Sequence, residues 1–283
     1  MPESIRVTLA PREASLAGLP IGRLLPRREQ RALGPFVFMD RFGPTAIDGG
    51  LGLQVPPHPH IGLATVTYLF SGELVHRDSV GSTATIVPGG LNWMTAGRGI
   101  VHSERSPSGA RASLDGVQFW VALPPASEEC EPRFEALEAD SLPTLDLGSG
   151  SGRVLAGTYG GLRAPTRVDS ELFLVDVELP AGGSLELASD ADERGVYPAE
   201  GVLEVNGTPV EPGRLAVLEA GGRPTLRAPA GARLILFGGA PLDGPRHMDW
   251  NFISSSRERV QSAMQDWQAG RFPTVDHDPG DPA

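Results

Sequence analysis

The chain has no lysine: all 24 of its basic side chains are arginine. That is a mark of coding bias, as from a GC-rich genome, and carries no functional weight. Cysteine is nearly absent as well. The single Cys130 rules out an internal disulfide and fits a reducing compartment. Its neighbours Glu128, Glu129 and Glu131 disfavour a thiolate, so Cys130 is a poor nucleophile. No apolar run approaches the length of a membrane span, and the opening Met-Pro-Glu-Ser-Ile-Arg lacks an apolar signal stretch. A cytoplasmic protein without a membrane partner is therefore expected. The net charge of -11 argues against a nucleic-acid binder, which needs a basic face.

Glycine (36) and proline (27) are plentiful in a chain of 283 residues, enough for one full core or two smaller ones. Both residues interrupt helices and punctuate strands, so a turn-rich β protein is predicted. Alternating or β-branched runs at 4–10, 36–39, 64–70, 74–78, 83–87, 91–95, 100–104 and 117–123 read as short strands. Gly turns at roughly ten-residue spacing separate most of them, the pattern of an antiparallel sandwich or barrel. Residues 124–150 read as a connector. The same texture then resumes, with Asn206-Gly207 marking a hairpin. The expectation is an all-β chain of two antiparallel barrels, 1–135 and 136–283. At the end, Ser255 and Glu258 form a capping box. Val260, Met264 and Trp267 then share one helical face, and Gly270 is a stop, so a C-terminal helix over about 256–269 is predicted.

Histidine is scarce, and its placement is the informative feature. His58 and His60 stand at i, i+2, and so do His102 and Glu104. On a strand, i and i+2 share a face. Two paired strands would aim three imidazoles and one carboxylate at one point, a donor set suited to a divalent transition metal: Fe, Mn, Co, Ni, Cu or Zn. His76 and Asp78 repeat the spacing, and read as an exposed polar pair in preference to a pair orienting a ligand. No histidine lies between His102 and His247, so the second barrel has no His-based site and reads as structural or as a partner surface. His247 reads as packed or hydrogen-bonded. His277 falls in a Pro/Asp-rich end predicted to be disordered. Arg98 either holds an anion or braces its Gly-Arg-Gly loop.

The segment His58-Pro-His60-x-Gly-x-x-Thr-Val-Thr-Tyr-Leu and the run Asn92-Trp-Met-Thr-Ala-Gly-Arg-Gly-Ile-Val-His102-Ser-Glu104 resemble the pirin family of the cupin superfamily. Gly34-Pro-Phe-Val-Phe-Met-Asp-Arg-Phe-Gly-Pro44 resembles that family's N-terminal signature. The resemblance is dense over about 34–123 and weaker beyond. It implies a bicupin with one metal in the N-terminal barrel, usually iron as Fe(II), held by His58, His60, His102 and Glu104. Ala64 stands where many members carry a glutamate, which leaves Glu104 the one obvious carboxylate ligand. The family's implied activity is that of a quercetin 2,3-dioxygenase, with a small aromatic substrate. Glu104 would be the catalytic proton acceptor, and Val66, Tyr68, Trp93 or Met94 the walls. The alternative implied role is non-enzymatic: an iron-dependent regulator that binds a protein partner, a transcription factor or metabolic enzyme. A monomer is the default expectation.

Overall fold

The computed structural model describes residues 4–46, 52–107 and 113–279. They form antiparallel sheets in two compact units, plus one α-helix. The strands lie where alternation placed them. Leu63–Ser71, Leu74–Asp78, Thr83–Ile86, Leu91–Thr95, Ile100–Arg105 and Ser113–Ala122 each match a predicted run to within a few residues.

The units divide the chain differently from the expected break at 135/136. One consists of residues 13–22, 39–139 and 243–283, and contains every histidine. The other consists of 1–12, 23–38 and 140–242. Strand pairing gives the reason. Ile5–Leu9 lies antiparallel to Leu215–Leu218, so the first strand completes the unit without histidine. The tail, in turn, packs with the histidine-bearing unit: Val260 and Ala263 of the helix share an apolar cluster with Ile61 and Phe252.

In the histidine-bearing unit, Gln54–His60, Ile100–Arg105, Leu74–Asp78 and Thr83–Ile86 form one sheet in that order. The larger sheet has Leu63–Ser71 at its middle, between Leu91–Thr95 and Ser113–Ala122. Val55, Leu74 and Ile86 of the small sheet meet Phe42, Leu69 and Leu114 in a buried core. Each such side chain contributes about 1.5–3 kcal/mol on burial. The other unit repeats the plan. Its core joins Val175, Val196, Leu234 and Leu236 to Leu185, Leu203 and Leu226, and this aliphatic filling occupies the interior. Asn206 (φ 47) and Gly207 (φ 84) turn the predicted hairpin between Leu203–Val205 and Thr208–Val210.

Three local expectations need correction. The connector is partly strand: Arg133–Leu137 pairs with Leu91–Thr95, because its alternation of Phe134 and Ala136 with charged residues suits a sheet edge. The helix runs Arg257–Gln268 and is capped by Ser256, whose hydroxyl accepts from the Arg259 amide at 3.2 Å. Ser255 is diverted to the buried Glu128 carboxylate, at 2.9 Å from its hydroxyl. The chain end is also ordered through His277, since Val275 and Asp278 are buried. Among the described residues, no helix is long and apolar enough to cross a membrane.

Candidate metal centre

Strand Ile100–Arg105 is the scaffold of the site. It pairs with Gln54–His60 so that His102 faces His58, and Glu104 faces Val55. Pro56 and Pro57 thus stand opposite the single residue Ser103, a bulge at residues that have no N–H to give to the ladder. The rings of His58, His60 and His102 converge. Their centroids lie 5.0, 4.4 and 5.1 Å apart in pairs. One donor nitrogen from each lies within 4.8 Å of the others.

The second nitrogen of each ring is engaged elsewhere, which fixes the tautomers. His58 Nδ1 donates to the Pro56 carbonyl at 2.9 Å, and His60 Nδ1 to the Asn251 carbonyl at 3.2 Å. His102 Nδ1 meets His76 Nδ1 at 3.3 Å, and His76 Nε2 donates to Asp78 at 3.0 Å. One proton arrangement satisfies this chain: His102 donates to His76, which donates to Asp78. Nε2 of each of the three rings is then left as a lone-pair donor. His102 Nε2 is buried and has no hydrogen-bond partner, an orphan that a cation would satisfy. Burial lowers the pKa of all three; at His60 and His102, where the lowering is large, repulsion from neighbouring histidines adds to it, whereas at His58 the Pro56 carbonyl and Glu104 oppose it. Neutral imidazoles with converging lone pairs are what a divalent metal requires, so the residues fit one.

Glu104 is buried beside this set but outside the group of gathered donors. Its oxygens accept from Gln118 Nε2 at 2.9 and 3.1 Å and from Thr67 Oγ1 at 3.1 Å. Both carboxylate oxygens therefore act as acceptors. Thr67 and Gln118 face each other across neighbouring strands. Neither was singled out above; the available signal was a polar residue recurring inside an otherwise apolar strand.

The favoured reading of His76 and Asp78 as exposed is overturned: both are buried. Glu104 and Arg105 pair with His76 and Val75, which seats Leu74–Asp78 directly beside the ligand strand. The His76 ring stacks on Phe134 at 4.1 Å. Burial pushes the Asp78 carboxyl up. Hydrogen bonds from His76 and from the Ser82 amide more than offset this, so its pKa is lowered. The pair acts as the orienting contact of His102.

Gly62 explains the glycine of the His-x-His-x-Gly motif. Its φ is +67°, and a Cβ there would lie 1.9 Å from the Ile253 carbonyl oxygen. Only glycine lets the hairpin of 247–254 come close enough to place Asn251 on His60. Trp120 meets the His60 ring edge-on at 5.2 Å. Alternation puts Ala64 on the face away from Thr65 and Thr67, so a side chain at 64 is not aimed at Glu104. The same rule sorts the proposed walls. Met94 pairs with Thr65 and shares the Thr67 face, whereas Val66, Tyr68 and Trp93 lie on the other.

Comparison with known proteins agrees with this geometry. The Pirin profile matches residues 19–121, and that of the Pirin C-terminal cupin domain matches 174–273. A pirin-like protein of Caulobacter vibrioides is 43% identical over 274 residues, covering 94% of each chain. The chain belongs to the pirin family. A quercetin 2,3-dioxygenase from Acinetobacter baumannii superimposes with a TM-score of 0.92 at 32% identity, over 98% of this pirin and 93% of that chain. A bacterial pirin of Escherichia coli, solved in complex with nickel(II), shares the fold at a TM-score of 0.67 and 18% identity, over 83% and 99% of the two chains. The fold of this pirin is thus a bicupin, and its three-histidine cluster could hold a divalent metal ion.

Proposed function

We propose that this pirin is a metal-dependent dioxygenase of the quercetin 2,3-dioxygenase type, acting on flavonol-like aromatics. The observation that carries the reading is the convergence of three neutral imidazoles beside a buried, doubly accepting carboxylate. His58, His60 and His102 would hold the metal, Fe(II) by family resemblance, with Glu104 as the adjoining carboxylate. When bound, the metal supplies a Lewis-acid, redox-capable centre with positions left open. Glu104 takes the proton of the substrate's 3-hydroxyl, and Thr67 and Gln118 hold it for that step. Met94 and Trp120, on the interior face, flank a planar ring. The likeness to the Acinetobacter quercetin 2,3-dioxygenase, at 32% identity, supports the substrate class.

The test is oxygen-dependent loss of flavonol absorbance by metal-loaded protein. His58→Ala should abolish turnover. If the wild type, loaded in turn with Fe, Mn, Co, Ni and Cu, leaves the absorbance unchanged, the enzymatic reading is wrong.

A further inference from the structure

The C-terminal segment reaches back to the strand that carries His102 and Glu104. Asp278 is buried, at 4% exposure. One of its oxygens accepts from Ser103 Oγ and from Arg105 Nε, both at 2.8 Å, and the other from Arg105 Nη2 at 2.5 Å. A two-pronged guanidinium–carboxylate pair of this kind is strong and geometrically demanding. Ser103 and Arg105 alternate with His102 and Glu104, so Asp278 grips the back of the ligand strand while the ligands face forward.

The grip extends to the other ligand strand. Arg105 Nη1 also donates to Gln54 Oε1 at 3.3 Å, and Gln54 Nε2 donates to the Ser106 carbonyl at 3.2 Å. Gln54 begins the strand that ends in His58 and His60, and it pairs with Arg105. From this tie toward His58 the ladder is interrupted, because Pro56 and Pro57 have no N–H to give. The backbone is therefore weakest between the His58–His102 pair and the Glu104–Val55 pair, and Asp278 spans that weakness through side chains.

We infer that Asp278 is a positioning residue for the metal centre: the tail is a clasp that fixes the spacing of the two ligand strands. This rests on the metal reading above. Co(II) affinity, measured by chelator competition, and the Co(II) ligand-field spectrum report on it without turnover. Asp278→Ala should weaken Co(II) binding by about tenfold, as loss of an orienting partner typically does, and should shift the spectrum. Asp278→Asn keeps an acceptor for Ser103 and should restore part of both. Asp190→Asn, which breaks an exposed pair with Arg223, should change neither. A folded Asp278→Ala protein with wild-type affinity and spectrum overturns the inference, even if its apo melting temperature falls. Should that variant not fold, Asp278→Asn and Ser103→Ala are judged by the same two readouts. Wild-type protein that takes up no Co(II) refutes the metal reading itself, which is a different result.

Discussion

His76→Phe is the sharpest probe of how the centre is oriented. Phenylalanine fills the imidazole's place and keeps the stack on Phe134, so no large cavity opens. It removes two hydrogen bonds, however. His102 Nδ1 loses its acceptor at 3.3 Å, and Asp78 loses the 3.0 Å donor, retaining the Val80 and Ser82 amides at 3.0 and 2.9 Å. Each buried group left short of a partner costs about 1–3 kcal/mol. Apo stability should therefore fall by roughly 2–4 kcal/mol, most of it from the unpaired His102 nitrogen and the less satisfied carboxylate. Metal affinity should fall further than stability alone explains. Loss of an orienting partner costs ten- to a hundredfold, or about 1.4–2.7 kcal/mol. Chelator competition gives the affinity, and urea unfolding of the apo protein gives the stability. If apo stability drops while the metal dissociation constant stays at the wild-type value, His76 packs the barrel and does not orient His102.

Two further outcomes follow from buried charge. Glu128→Ala removes a carboxylate that accepts from Ser254, Ser255 and, at 3.2 Å, from the buried Arg246. It should cost about 3 kcal/mol of stability in calorimetry, with Glu128→Gln losing less, because Arg246 is otherwise left, among the described residues, with Asp243 alone as an anionic partner. Stability of the metal-free protein should also fall on acidification below about pH 6.5. His60 and His102 have folded pKa values well below the usual 6.5, so the unfolded chain binds more protons just under that pH, and stability rises with pH across the window. Two such groups give a slope of up to about 2.7 kcal/mol per pH unit in urea titrations, and a flat profile would refute the neutral assignment. Metal uptake at neutral pH should accordingly release few protons, which calorimetry in buffers of different ionisation heat measures.

Much of the centre was legible because period-2 alternation is a local rule. His58 with His60, and His102 with Glu104, needed only i, i+2 spacing, and Asn206-Gly207 needed only turn chemistry. The supports were not legible, because they come from far along the chain. Thr67 lies 37 residues from Glu104, Asn251 lies 191 from His60, and Asp278 lies 175 from Ser103. Spacing alone did not separate a buried His76–Asp78 pair from an exposed one; the deciding fact is its pairing with the ligand strand. Likewise Ile5–Leu9 read as a strand from its alternation, but nothing local named Leu215–Leu218 as its partner.

That first strand has a practical consequence for anyone wishing to express the halves separately. A fragment ending near residue 135 would carry an edge strand belonging to the other unit, and would lack the hairpin and helix that flank its own histidines. The complementary fragment would expose a sheet margin at Leu215–Leu218 and drag along an orphaned tail. Cutting at the visible midpoint therefore yields two broken proteins. A sound dissection of this molecule keeps residues 1–12 and 23–38 with 140–242, and residues 243–283 with 13–22 and 39–139.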